Sequence, residues 1–205
     1  MRKTIKQKIL SWWAYFLGGA LIAGALFYLT FSFKDVLIME AKYRLGINLS
    51  KAQTEKVPEN NSQKDFTISV PKAGIDAKVF PEIDPYNTVE YKDALSKGAA
   101  HAKGSALPGN KGNVFIFAHS TSSQSFVAQY NAIFYLLNKL DKGDEVYLSF
   151  GGSKFKYKVT ETKIIAPEQV EYLDNQSSDK KTVTLMTCWP AGTSLKRLLV
   201  IGELS

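Results

Sequence analysis

The chain contains one cysteine, Cys188, and two histidines, His101 and His119. Any thiol chemistry must therefore be assembled from Cys188 and from what the fold brings beside it. Cys188 ends a β-branched, apolar run, Lys181–Cys188 (KTVTLMTC), and Arg197 lies at the start of a second apolar run, Leu195–Leu204. Between them, Trp189–Ser194 carries Pro190 and Gly192, which interrupt a strand and reverse the chain. Two strands joined by a loop of roughly six residues form a hairpin, with the end of the first beside the start of the second. Cys188 and Arg197 are expected as neighbours at one rim of a sheet. A guanidinium that cannot lose its charge favours a thiolate next to it.

Cysteine catalysis also needs a proton carrier for the leaving group and positive charge near a developing oxyanion. His119 ends the apolar run Asn113–Ala118 (NVFIFA) and opens the polar run Ser120–Ser125. If that strand runs parallel to the one ending in Cys188, their C-terminal ends deliver thiol and imidazole to one rim, where Arg197 meets them. Each residue alone has a plainer reading. A lone strand cysteine is commonly a small buried hydrophobe, a histidine after a strand is often a hydrogen-bonded surface residue, and Lys196 would serve where Arg197 does.

The elements that must position these residues follow from pattern. Basic residues Arg2, Lys3, Lys6 and Lys8 precede an uncharged apolar run from Trp12 to Phe33. At about 1.5 Å per residue such a run spans ~33 Å, enough for a bilayer core. Aromatic residues at both ends suit the two interfaces, and the basic cluster favours an N-terminus inside. Ala23-Gly24-Ala25 looks like a processing site, but the apolar run continues past it, so an uncleaved anchor is expected. The expected organisation is a basic cytoplasmic segment over 1–11, a transmembrane anchor over 12–33, a juxtamembrane helix and polar stalk over 34–64, and an extracytoplasmic domain over 65–205.

Charge is segregated the same way. Residues 1–64 hold 10 Lys/Arg against 4 Asp/Glu, and residues 65–205 hold 16 against 15. The pI near 9.3 thus belongs to the N-terminal segment, which argues against nucleic-acid binding by the domain. A single cysteine excludes an internal disulfide, and no Cys/His cluster suggests zinc. Within the domain, Phe66–Val70, Ile75–Phe80, Tyr91–Ala100, Asn113–Ala118, Glu145–Phe150 and Lys154–Ile165 read as extended. Gly151-Gly152 joins the last two as a hairpin, and Phe126–Leu140 has amphipathic helical spacing. About eight short strands with one helix make the fold mainly β, a barrel or barrel-like sandwich.

The combination of motifs resembles a known family. Thr184-Leu185-Met186-Thr187-Cys188 matches the TLxTC motif of the sortases, and Arg197 followed by Leu-Leu-Val-Ile matches their later arginine and strand. Gly112-Asn113-Val-Phe-Ile-Phe-Ala-His119 is similar to the strand ending in their catalytic histidine, and Gly98–Gly112, with Leu107-Pro108-Gly109, to the loop before it. The resemblance runs from about Phe66 to the C-terminus. It implies an eight-stranded barrel with one or two short helices after a transmembrane helix, and a cysteine transpeptidase at the cell membrane. Cys188 would attack the Thr carbonyl of an LPxTG-like sorting signal on surface proteins. His119 would move protons, and Arg197 would bind the oxyanion or substrate backbone. The acceptor would be an amine of a peptidoglycan precursor or a pilin lysine. Thr187 is a substrate-binding candidate. Trp189 either lines the acceptor groove or caps the barrel, and His101 is a supporting or surface residue. A housekeeping or class D/E-like type is suggested by Cys-Trp-Pro-Ala-Gly-Thr and the short Cys-to-Arg spacing. No cofactor is expected. Some members bind calcium, and Glu168, Glu171 and Asp174 sit in the comparable loop, but three spaced acids equally describe a solvated turn.

Three rival functions use the same sequence. A thiol hydrolase would resolve the thioester with water. An L,D-transpeptidase would want a His-Gly-Cys cluster, whereas Met-Thr precedes Cys188. A non-catalytic, membrane-tethered binding domain would keep Cys188 buried and unreactive.

Overall fold

A computed structural model describes residues 2–32, 40–41, 44–45, 66–120, 132–169 and 179–205. The chain divides into two compact units, Met1–Gly46 and Ile47–Ser205. In the first, α1 spans Arg2–Ser32, and the side chains of Trp12, Trp13, Tyr15, Phe16 and Phe27 are exposed. Among the described residues, no helix is long and apolar enough to cross a membrane. The segment expected as an anchor over 12–33 is helical to Ser32, but the structure does not support its crossing a membrane. The juxtamembrane helix and stalk over 34–64 lie outside the described residues apart from 40–41 and 44–45.

The second unit holds eight strands: β1 Thr67–Val70, β2 Ile75–Ile83, β3 Ala99–Ala102, β4 Gly112–Phe117, β5 Glu145–Phe150, β6 Ser153–Ile165, β7 Lys181–Trp189 and β8 Lys196–Leu204. They close into a barrel in the order β1-β2-β3-β4-β7-β8-β6-β5, with β5 pairing back onto β1. Closure leaves no unpaired edge. Side chains of Ile68, Val79, Val114, Ile116, Leu148 and Leu185 are fully buried. The β5–β6 hairpin turns at Gly151-Gly152 as the sequence predicts, with Phe150 opposite Ser153.

Among the described residues two pairings are parallel, β2 with β3 and β4 with β7. Parallel neighbours need a crossover rather than a tight turn. For β2 and β3 that crossover contains α2, Thr88–Lys97, which corrects the extended reading of Tyr91–Ala100. The local chemistry explains the helix. The Asn87 side chain accepts from the Glu90 N–H at 3.3 Å, and Asn87 Nδ2 donates to Glu90 Oε2 at 3.3 Å, a reciprocal cap. Ala94 and Leu95 are buried, and the helix ends at Gly98, whose N–H reaches the Ala94 carbonyl. Gly98 packs on the Lys78 carbonyl of β2, leaving no room for a Cβ. The helix expected over Phe126–Leu140 is also revised. Residues 126–131 lie outside the described residues, and the remainder forms a short 3₁₀ helix, Tyr135–Lys139.

Candidate active site

The site is built by three adjacent strands, β4, β7 and β8. The β7–β8 hairpin pairs Cys188 with Arg197 and Trp189 with Lys196, so the expected neighbours at the rim are found. The parallel ladder runs from Gly112 opposite Lys181 to Phe117 opposite Met186. It continues one step further, because the Ala118 N–H donates to the Met186 carbonyl at 3.2 Å. His119 follows immediately, at the same end of the sheet as Cys188.

Facing follows from register. Residues directly opposite one another in a sheet point to the same side, and successive residues alternate. Val114, Ile116 and Ala118 of β4 share one side with Val183, Leu185 and Thr187 of β7 and with Leu198 and Val200 of β8. All of these are buried, and they form the barrel interior. The other side carries Asn113, Phe115 and Phe117, then Thr182, Thr184, Met186 and Cys188, then Arg197 and Leu199. His119 stands two residues beyond the end of β4. Thiol and guanidinium thus share one face, and His119 follows at the same rim, each of the three residues half-buried.

The surrounding contacts define the chemistry. His119 is held below the ordinary histidine pKa by burial, which favours the uncharged ring at neutral pH. Its carbonyl accepts the Phe134 N–H at 3.1 Å, which brings the chain back to the strand end after residues 120–133. Arg197 Nη1 donates to the Ser194 carbonyl at 3.1 Å and to its neighbour's, Lys196, at 3.0 Å. These contacts lay the guanidinium along its own loop and restrict its swing. Cys188 is a free thiol.

The lesser candidates separate. Thr187 is buried, and its hydroxyl donates to the Ala118 carbonyl at 2.8 Å. That hydroxyl ties β7 to the residue before His119. Trp189 alternates onto the side opposite Cys188 and is half-buried. His101 is fully buried in β3, away from the surface assigned to it as one option. Its Nδ1 accepts the Glu82 N–H at 3.3 Å, so Nε2 carries the hydrogen toward the Ala106 carbonyl at 3.1 Å and Ser105 Oγ at 2.8 Å. Burial lowers its pKa as well. Glu168 is exposed, whereas Glu171 and Asp174 lie outside the described residues. Among the described residues no group of three acids, histidines or cysteines is placed to hold a metal. Sequence reasoning singled out no role for Asn113, which is buried and accepts hydroxyl hydrogens from Thr182 and Thr184. The alternation of two threonines on β7, Thr182 and Thr184, was the available signal.

A sequence model of the Sortase domain matches residues 68–205. The chain belongs to the sortase family. Its sortase relatives include sortase A of Listeria monocytogenes, 30% identical over 67% of this chain and 55% of that protein. Sortase A of Bacillus anthracis is 26% identical over 97% of this chain and 96% of its own length. The chain thus spans about half of the first relative and nearly all of the second. Among solved structures, sortase C-1 from Actinomyces oris superposes with a TM-score of 0.58 at 30% identity, over 68% of this chain and 73% of that one. The closed eight-stranded barrel is the sortase fold, and sortases as a family are cysteine transpeptidases. The relatives carry different class letters at similar identity, so the likeness is to the family rather than to one class.

Proposed function

We propose that this sortase-family chain is itself a cysteine transpeptidase, held at the membrane by its N-terminal helix with the barrel outside. It cleaves an LPxTG-like sorting signal and passes the acyl group to an amine of a cell-wall precursor or a pilin lysine. The observation that carries the reading is the register that sets Cys188 opposite Arg197, with His119 just beyond the end of the adjoining parallel strand at the same rim. The uncharged run from Trp12 to Phe33 after a basic N-terminus supports the anchor.

In this mechanism the neutral His119 ring takes the Cys188 thiol proton, and the sulfur attacks the Thr carbonyl carbon of the signal. Negative charge gathers on the carbonyl oxygen, where Arg197 stabilises it. The intermediate collapses, the peptide C–N bond breaks, and His119 gives its proton to the departing amine, leaving a Cys188 thioester. An incoming amine loses a proton to His119 as it attacks, and that proton returns to sulfur on release.

The test incubates the chain in detergent with a panel of LPxTG-type peptides and a primary amine acceptor. Mass spectrometry should find an acyl adduct on Cys188 and a peptide–amine conjugate. Cys188→Ala should lose both, and His119→Ala should slow transfer by about 10²–10⁴-fold. Conjugate formed by Cys188→Ala, or no adduct with any peptide, would sink the reading. Hydrolysed peptide with no conjugate at any amine concentration would point to a thiol hydrolase.

A further inference from the structure

We infer that Asn113 is a positioning residue that fixes the register of β4 on β7, and so sets where His119 stands relative to Cys188. The inference rests on the transpeptidase reading above for its catalytic consequence. No short turn fixes this pairing, since β4 ends at Phe117 and β7 begins at Lys181. A two-residue slip of a parallel pair preserves which side every side chain faces. The interior side discriminates only in part, since a forward slip keeps Val114 opposite an apolar residue, Leu185, and sets Ile116 opposite Thr187. Each slip of two residues moves one strand end about 6.6 Å past the other, and His119 would leave Cys188.

The outer side breaks this degeneracy. Asn113 Oδ1 accepts from Thr182 Oγ1 at 3.1 Å and from Thr184 Oγ1 at 3.0 Å. Asn113 and Thr184 are 4% and 3% exposed, so water does not substitute for these bonds. Asn113 stands opposite Thr182 in the ladder. Sliding it two residues forward sets it opposite Thr184, with Met186 in place of the second hydroxyl. Only the observed register satisfies both. One polar residue specifying alignment in an otherwise apolar seam is an established use of buried asparagine. At the catalytic end, the Thr187 hydroxyl on the Ala118 carbonyl completes the alignment one residue before His119.

The test uses the full chain in detergent: wild type, Asn113→Leu, Thr184→Val, their double variant, and Asn113→Asp, which keeps an acceptor oxygen. Acyl-transfer kinetics and thermal unfolding are measured on each. Asn113→Leu should lose about a hundredfold in kcat, the scale of an ångström's misplacement, with KM changed less than about twofold. The double variant should regain thermal stability but not kcat, and Asn113→Asp should recover kcat at least about tenfold over Asn113→Leu. Should Asn113→Leu fail to fold, Thr184→Val carries the same comparison with one donor removed. Without any peptide, the pH profile of Cys188 alkylation by iodoacetamide reads the coupling of sulfur to His119. Asn113→Leu should move that profile toward the profile of His119→Ala. An unchanged alkylation profile, or a double variant that regains kcat together with stability, overturns the inference. Wild-type chain that forms no adduct overturns the transpeptidase reading instead, and the alkylation profile still decides the role of Asn113.

Discussion

His101 and His119 do different work in the same electrostatic direction. Burial lowers both pKa values from the ordinary 6.5. Unfolded chain therefore binds more protons than folded chain below that value, so stability is full above about pH 6.5 and is lost as pH falls. Carboxylates titrate near pH 4, so the window from about 6.5 to 5 belongs to the two histidines. Urea unfolding from pH 8 to pH 5 should show a plateau and then a fall, and His101→Gln should make that fall shallower. A flat wild-type profile down to pH 5 would contradict the burial argument. Cys188 and His119 could be singled out as candidates because the chain has one cysteine and two histidines, and Arg197 because a short loop pairs it with Cys188. The bond from the Thr187 hydroxyl to the Ala118 carbonyl was not legible, because its partner comes from a strand distant in sequence.

At the scale of elements, strands announced themselves by alternation and hairpins by their turn residues. The β7–β8 register could be deduced because a short loop leaves few pairings. α2 was overlooked because its apolar residues, Tyr91, Ala94 and Leu95, are few and its signals lie in the Asn87 cap and in Gly98. The loop before β4 is held by a comparable detail. Gly109 has φ +85°, its N–H donates to the Tyr157 hydroxyl at 3.2 Å, and a Cβ there would overlap the Phe155 ring. Gly109→Ala should cost about 1–3 kcal/mol, from the left-handed backbone and from displacement of the ring. Urea denaturation measures it, and a loss under about 0.5 kcal/mol would show that the loop relaxes freely.

On the scale of the whole molecule, the barrel closes within Thr67–Leu204, and the net charge of +6 lies on residues 1–64 against +1 on the rest. Membrane attachment and chemistry should therefore separate. Chain truncated to 65–205 should stay in the supernatant when spun with liposomes while full-length chain sediments, and it should keep kcat within about twofold. Full-length chain remaining in the supernatant would remove the anchor, and loss of turnover by the truncated chain would show that the N-terminal segment serves the site. The sequence by itself determined the residue types available for thiol chemistry, the eight-strand pattern and the Cys188–Arg197 adjacency, since all of these follow from composition, local periodicity and a short loop. Tertiary structure alone decided that β4 lies parallel to β7 and that Thr187 and His101 are buried. A long-range parallel pairing has no local turn to encode it, and its alignment emerges only when distant side chains such as Asn113 and Thr184 meet.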